Sequence, residues 1–254
     1  MIRLIGLVIS LIATTVLTAV PALASNRLVA DLSDKSIAIT TGFHGTELLL
    51  FGAFDGKVGD DIIVIITGPP TDIAQRRKEN RAGIWVNVET NIWKQAPSFY
   101  SILATRPLDT ITSIETIKQL GIGPANLGLT LVPESGTSTA LHGDRFIEAL
   151  ASNMARMNLW PTQTGSIQLA HDALFRSTIN LPANIVTGNY DIRVLHLRDG
   201  IAISEDRTHL TINKGGLTAV IFNLAHDYSA LYGIFAIAFA VAAGWLAAAA
   251  FRRT

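Results

Sequence analysis

The chain has 254 residues, 49% of them hydrophobic and only 16% charged, with 20 Lys plus Arg balancing 20 Asp plus Glu and no cysteine. That balance argues against a nucleic-acid partner, which calls for a basic field, and the missing cysteines exclude a disulfide framework, a thiolate nucleophile and a thiolate metal site. The length suits one large domain or two small ones, and the apolar excess over an ordinary soluble domain has to be located.

It lies at the two ends. Residues 4–23, "LIGLVISLIATTVLTAVPAL", carry no charge, follow Arg3 and run into Pro21 and Ala22-Leu23-Ala24 before Ser25. Small residues at those spaced positions predict a secretory signal peptide, 1–24, cut after Ala24, with an uncleaved anchor as the alternative. Both place Ser25 onward outside the cytoplasm. The exported part keeps 17 of the 20 basic residues, since Arg3, Arg252 and Arg253 fall outside it, against all 20 acidic ones, so it is mildly acidic.

From Asn26 to about Arg106 the pattern is strand-like. "ELLLFGAF" (47–54) and "DDIIVIITG" (60–68) are short apolar runs parted by Asp55-Gly56, and they predict a hairpin. Then comes "RRKENRAGIWVN" (76–87). If it is extended, Arg77, Glu79 and Arg81 share one face and Arg76, Lys78 and Asn80 the other. Two charged faces cannot both be buried, so the stretch predicts an edge strand or exposed ribbon until Ile84 or Trp85 turns inward, Trp85 as core. Arg76, Arg77 and Arg81 are the candidate anion- or partner-binding residues, because guanidinium forks suit an oxyanion, an acidic surface or anionic lipid. A solvated face partly neutralised by Glu79 is the plainer alternative.

Residues 113–121 and 143–159 read as helices. Thr112 or Ser113 caps the first and Gly121 stops it; in the second, Phe146, Leu150, Ala151, Met154 and Met157 form one stripe. "PESGTSTALHG" between them is a loop by composition. Strand signals resume at 173–182, and Ile192, Val194, Leu195 and Leu197 lead into Asp199-Gly200, a hairpin turn. Strand groups flanking a helical stretch predict a mainly β fold, an immunoglobulin-like β-sandwich with a helical insert at about 110–165 in a domain spanning 25–229; two small domains are the alternative.

The last run, "LYGIFAIAFAVAAGWLAAAAF" closed by Arg252 and Arg253, predicts a single transmembrane helix over 230–251 with a cytoplasmic tail, 252–254, since positive residues are retained inside. Ala236, Ala240, Gly244 and Ala248 recur every four residues, a small-residue ridge along which a second helix could pack.

Chemistry is sparsely signalled. Ser135, His142 and Asp144 include the residue types of a hydrolase but lack any nucleophile-elbow pattern. The six His are scattered, so no metal site is expected. "GIGPANLG" puts Pro124 where a phosphate cradle would begin. No cofactor and no nucleotide are implied.

With the signal, the strands, "RRKENRAGIWVN", "PSFYSILATRPL", "LPANIVTGNYDIRVLHLRDG" and the terminal apolar run in view, the chain resembles a family of alphaproteobacterial transmembrane proteins with no assigned activity. The resemblance covers nearly the whole exported part and the anchor. It implies an inner-membrane protein facing the periplasm. Because members of that family tend to be encoded beside sulfite-exporter-type permeases, it also suggests an anion permease as a partner alongside the bilayer. The expectation is a binding or accessory module, with an envelope enzyme acting near the helical insert as the alternative.

Overall fold

The computed structural model describes residues 27–135, 143–171, 173–215, 225–226 and 228–251. The expected signal peptide, His142 and the tail 252–254 lie outside those residues. In chain order the strands are β1 (Leu28–Leu32), β2 (Ser36–Ile39), β3 (Thr46–Phe54), β4 (Asp61–Thr67), β5 (Pro70–Arg81), β6 (Ile84–Pro97) and β7 (Tyr100–Ala104). Two short helices follow, α1 (Leu108–Ile111) and α2 (Ile114–Gln119), then a 3-10 turn (Pro124–Asn126), β8 (Thr130–Ser135) and α3 (Gly143–Arg156). β9 (Gly165–Ser166), β10 (Gln168–Ala170), β11 (Leu174–Leu181), β12 (Gly188–Arg198), β13 (Ile201–Lys214) and α4 (Ser229–Phe251) complete the described elements.

The fold is mainly β, in three sheets ordered β1-β3-β11-β10, β2-β13-β12-β4-β7-β9 and β5-β6-β8. The first two lie against each other. β11 shows why: Phe175, Ser177, Ile179 and Leu181 point inward while Leu174, Arg176, Thr178 and Asn180 point out, the period-two alternation of a sheet with one wet face. Opposite it, the continuous run Asp61–Ile66 of β4 is buried on both faces. Its second face is covered by the segment around α1 and α2, whose Ile111 and Ile122 join the same core. Contacts across the layers include Phe54 edge-on to His196, ring centroids 4.8 Å apart, and the Ala30 amide donating to Asp206 at 2.8 Å.

The hairpin expected of 47–54 and 60–68 is not formed. β3 pairs with β1 and β11 in one sheet, whereas β4 pairs with β12 and β7 in the other, so residues 55–60 cross between layers. The turn at Asp199-Gly200 does close a hairpin, β12 to β13, with both residues at positive φ (52° and 77°) as a two-residue type I′ turn requires.

The stretch expected to be a helical insert is mixed. α2 is capped as its sequence predicts, Ser113 Oγ accepting from the Thr116 amide and Gly121 ending the helix at φ 67°. β8, however, joins β6 to build the third sheet, which draws in residues 70–97. α3 buries Leu150 and Met154, and Gln75 Nε2 of that sheet donates to its Phe146 carbonyl. Met157 leaves the expected stripe: the helix ends at Arg156 and Met157 is 46% exposed.

α4 is a helix where the transmembrane segment was expected, uncharged over its whole length. Counted over described side chains, no helix is long and apolar enough to cross a membrane; in α4 that described run is 232–248.

Candidate functional site

The crossing between β3 and β4 carries the densest buried charge. Asp60 accepts from Arg198 Nε (3.0 Å) and Nη2 (2.7 Å), from His196 Nε2 (2.8 Å) and from the Lys57 amide (2.8 Å). Arg198 Nη2 also reaches the Asp55 carbonyl at 3.1 Å, stitching both ends of the crossing to the tip of β12. The Arg198 guanidinium, and after it the His196 bond, hold the Asp60 carboxyl well below the usual carboxylate range against the opposing effect of burial. Its neighbour Asp61 points the other way, accepting from Arg106 Nε (2.9 Å) and Thr105 Oγ1 (2.6 Å) beyond β7. Each carboxylate thus ties β4 to one flanking strand. His196 Nδ1 is buried without a hydrogen-bond partner among the described residues. The cluster has its charges matched in pairs, so it reads as a clamp on the crossing rather than a site for chemistry.

The β5–β6 hairpin is built differently. β8 covers β6 only from Thr90 to Lys94, so beyond it the two strands pair only with each other among the described residues. The turn is Ala82-Gly83, φ 54° and 86°, and the Gly83 amide donates to Asn80 Oδ1 at 2.9 Å. The side chains of β5 alternate between two faces, and a register shift at Arg77/Lys78 skips Val88 so that Glu89 comes opposite Arg77. On one, Arg77 opposes Glu89, Glu79 opposes Val86 and Arg81 opposes Ile84. On the other, Arg76 opposes Thr90, Lys78 opposes Asn87 and Asn80 opposes Trp85.

The three candidate arginines are therefore not gathered on one surface. Arg77 donates to buried Glu89 (3.1 Å) and to Glu79 (2.5 Å), and Arg81 reaches Glu79 at 3.5 Å. Glu89, followed by Glu79, raises the Arg77 pKa, and Arg77 lowers that of Glu79. Arg76 stands on the opposite face with Lys78, and neither forms an ion pair among the described residues. Ile84 and Trp85 are each 67% exposed, which corrects the expectation that Trp85 is core: they sit beside the turn, past the described residues of β8.

Elsewhere, a cleft of about 670 Å³ beside α3 is lined by Tyr100, Ile102, Glu148, Arg156, Trp160 and Thr164 among others. Of the hydrolase trio, His142 and the side chains of Ser135 and Asp144 lie outside what is described, and no group of three or more potential metal ligands forms among the described residues. Ala236, Ala240, Gly244 and Ala248 lie along α4, exposed, with Ile234, Phe235, Ile237, Phe239 and Trp245 exposed around them.

Compared with known families, residues 27–253 match the one described as "Putative transmembrane protein (Alph_Pro_TM)". The chain belongs to that family. The match takes in the sheets, the hairpin and α4 together. No curated protein matches the chain. Among solved structures, the crystal structure of VCBP3, domain 1, from Branchiostoma floridae overlays on 75% of this chain and 97% of its own at 8% identity, with a TM-score of 0.25. A likeness that slight carries no argument.

Two features escaped the reading from sequence. The Asp60–His196–Arg198 cluster joins residues 136 and 138 positions apart, and only the adjacent Asp60-Asp61 pair at the head of an apolar run hinted at it. The placement of Trp85 on the Arg76–Lys78 face follows from the two-residue turn at Ala82-Gly83, which sets Trp85 opposite Asn80, and nothing in the charged run itself marks that turn.

Proposed function

We propose that this family member is a membrane-tethered accessory module, its β domain (25–229) on the periplasmic side of the inner membrane and α4 lodged in the bilayer beside an integral-membrane partner, an anion permease of sulfite-exporter type. The observation that carries this reading is α4: 23 residues without a charge, about 34 Å long at roughly 1.5 Å per residue against about 30 Å of hydrocarbon. Its bulky side chains are exposed, Phe235 at 77% and Phe239 at 75%, and a helix apolar all round belongs in a protein core or in lipid. No described element packs extensively against it, which favours lipid. The two arginines that follow, Arg252 and Arg253, favour a cytoplasmic C-terminus.

For the domain we favour an immunoglobulin-like sandwich. Tyr190, wholly buried near the start of β12, donates its hydroxyl to the Val186 carbonyl at 2.6 Å, the arrangement of a tyrosine corner. The ridge Ala236, Ala240, Gly244 and Ala248 would let a partner helix approach closely. The test is gentle detergent extraction of the full chain followed by identification of co-purifying proteins. A permease that co-purifies with the wild type and is lost with Gly244→Leu is expected. A solitary chain that turns over an envelope substrate would favour instead an enzyme using the cleft at Glu148 and Arg156.

A further inference from the structure

The outer half of the β5–β6 hairpin is an odd thing to leave in water. An isolated two-stranded ribbon is marginal by itself, and this one extends past β8 by some six residues per strand, roughly 20 Å. It ends in Ile84 and Trp85, both two-thirds exposed. Residues 76–89 hold four cations, Arg76, Arg77, Lys78 and Arg81, against two carboxylates, Glu79 and Glu89, within a domain that is acidic as a whole. The carboxylates are spent on Arg77 and Arg81, which leaves Arg76 and Lys78 as uncompensated cations on the face that Trp85 shares.

The position of the apolar pair discriminates between occupants. Trp85 and Ile84 belong to opposite faces at the extremity of the ribbon. A protein lying along either face would bury one and leave the other wet, whereas a medium that surrounds the tip covers both. A bilayer interface is such a medium: Trp settles at headgroup depth, and Lys or Arg just above it pair with phosphates.

We infer that the tip of this hairpin rests in the anionic interface of the bilayer, Ile84 and Trp85 inserted and Arg76 and Lys78 paired with lipid phosphates, giving the domain a second membrane contact besides α4. The inference rests on the reading of α4 as the tether. It fixes the domain's orientation over the membrane as well as its distance.

A chain without cysteine allows a single reporter. Ala82→Cys at the turn and Val241→Cys in α4 are each labelled with an environment-sensitive dye. The full chain is reconstituted in vesicles of phosphatidylethanolamine and phosphatidylglycerol, or of phosphatidylcholine alone, containing nitroxide-labelled lipid. Both dyes are expected to be quenched in the anionic vesicles, with quenching at 82 falling several-fold in phosphatidylcholine. Arg76→Gln with Lys78→Gln is expected to weaken the tip's lipid contact about thirtyfold, and Ile84→Ser with Trp85→Ser to abolish it. Quenching at 241 without quenching at 82 overturns the hairpin contact and leaves the tether standing; quenching at neither overturns both. Quenching at 82 that ignores lipid charge and survives loss of Arg76 and Lys78 overturns the phosphate pairing, and protection of 82 only when an acidic protein co-purifies assigns the tip to that protein.

Discussion

At the residue scale the most consequential side chain is Asp60, because buried His196 and partly exposed Arg198 both depend on it. Truncation by Asp60→Ala would leave Arg198 and His196 without their acceptor, a change that costs about 3 kcal/mol when one partner of a buried pair is removed, and denaturant unfolding of the domain should register it. The pH dependence has a definite sign. A carboxyl held below its ordinary value contributes stability that is complete above about pH 4 and is lost as pH falls toward the depressed value. The stability gap between wild type and Asp60→Asn should therefore close in acid. Tyr190 gives the opposite limb: burial pushes its phenol up to about 12, so its contribution is intact below an ordinary Tyr pKa of about 10 and is lost as pH rises through the folded value. Tyr190→Phe should cost about 1 kcal/mol at neutral pH and flatten the alkaline side of the profile. None of these partnerships was legible in the sequence, since Asp60 and Arg198 meet only because β4 and β12 are neighbours in the sheet.

At the scale of elements, the hairpin separates arginines that look alike in the chain. Arg77→Gln should destabilise the ribbon, because Glu89 is buried, takes the Arg77 guanidinium at 3.1 Å and would lose a charged donor. Arg76→Gln should leave unfolding unchanged within about 0.5 kcal/mol, so paired thermal melts distinguish the two. The turn offers a gain: Ala82 holds a positive φ that Asn tolerates better, and Ala82→Asn should add up to about 1 kcal/mol. The alternation of "RRKENR" was readable, edge position included, because a two-residue period and two charged faces permit little else. The fate of Ile84 and Trp85 was not: an apolar run after a charged one resembles a strand entering a core, and only the turn at Ala82-Gly83 places it at an extremity. The crossing of 55–60 misled for a related reason. Asp55-Gly56 between two apolar runs is a hairpin signal, and it is overruled by Asp60 and Asp61, whose partners, Arg198 on β12 and Arg106 just past β7, lie far along the chain.

For the whole molecule, the strand-rich body and the terminal apolar helix were both visible in composition, the second because 231–251 carries no charge. The third sheet was hidden, since β8 is a short strand of mixed polarity inside a stretch otherwise rich in helix signals. The proposed topology puts the domain and the C-terminus on opposite sides of one membrane. The most direct measurement uses single cysteines at Val58, which is 90% exposed on the domain, and at Thr254, probed with a membrane-impermeant maleimide on spheroplasts. Val58→Cys is predicted to react in intact spheroplasts and Thr254→Cys only after permeabilisation; labelling of Thr254→Cys in intact spheroplasts with Val58→Cys protected would contradict it.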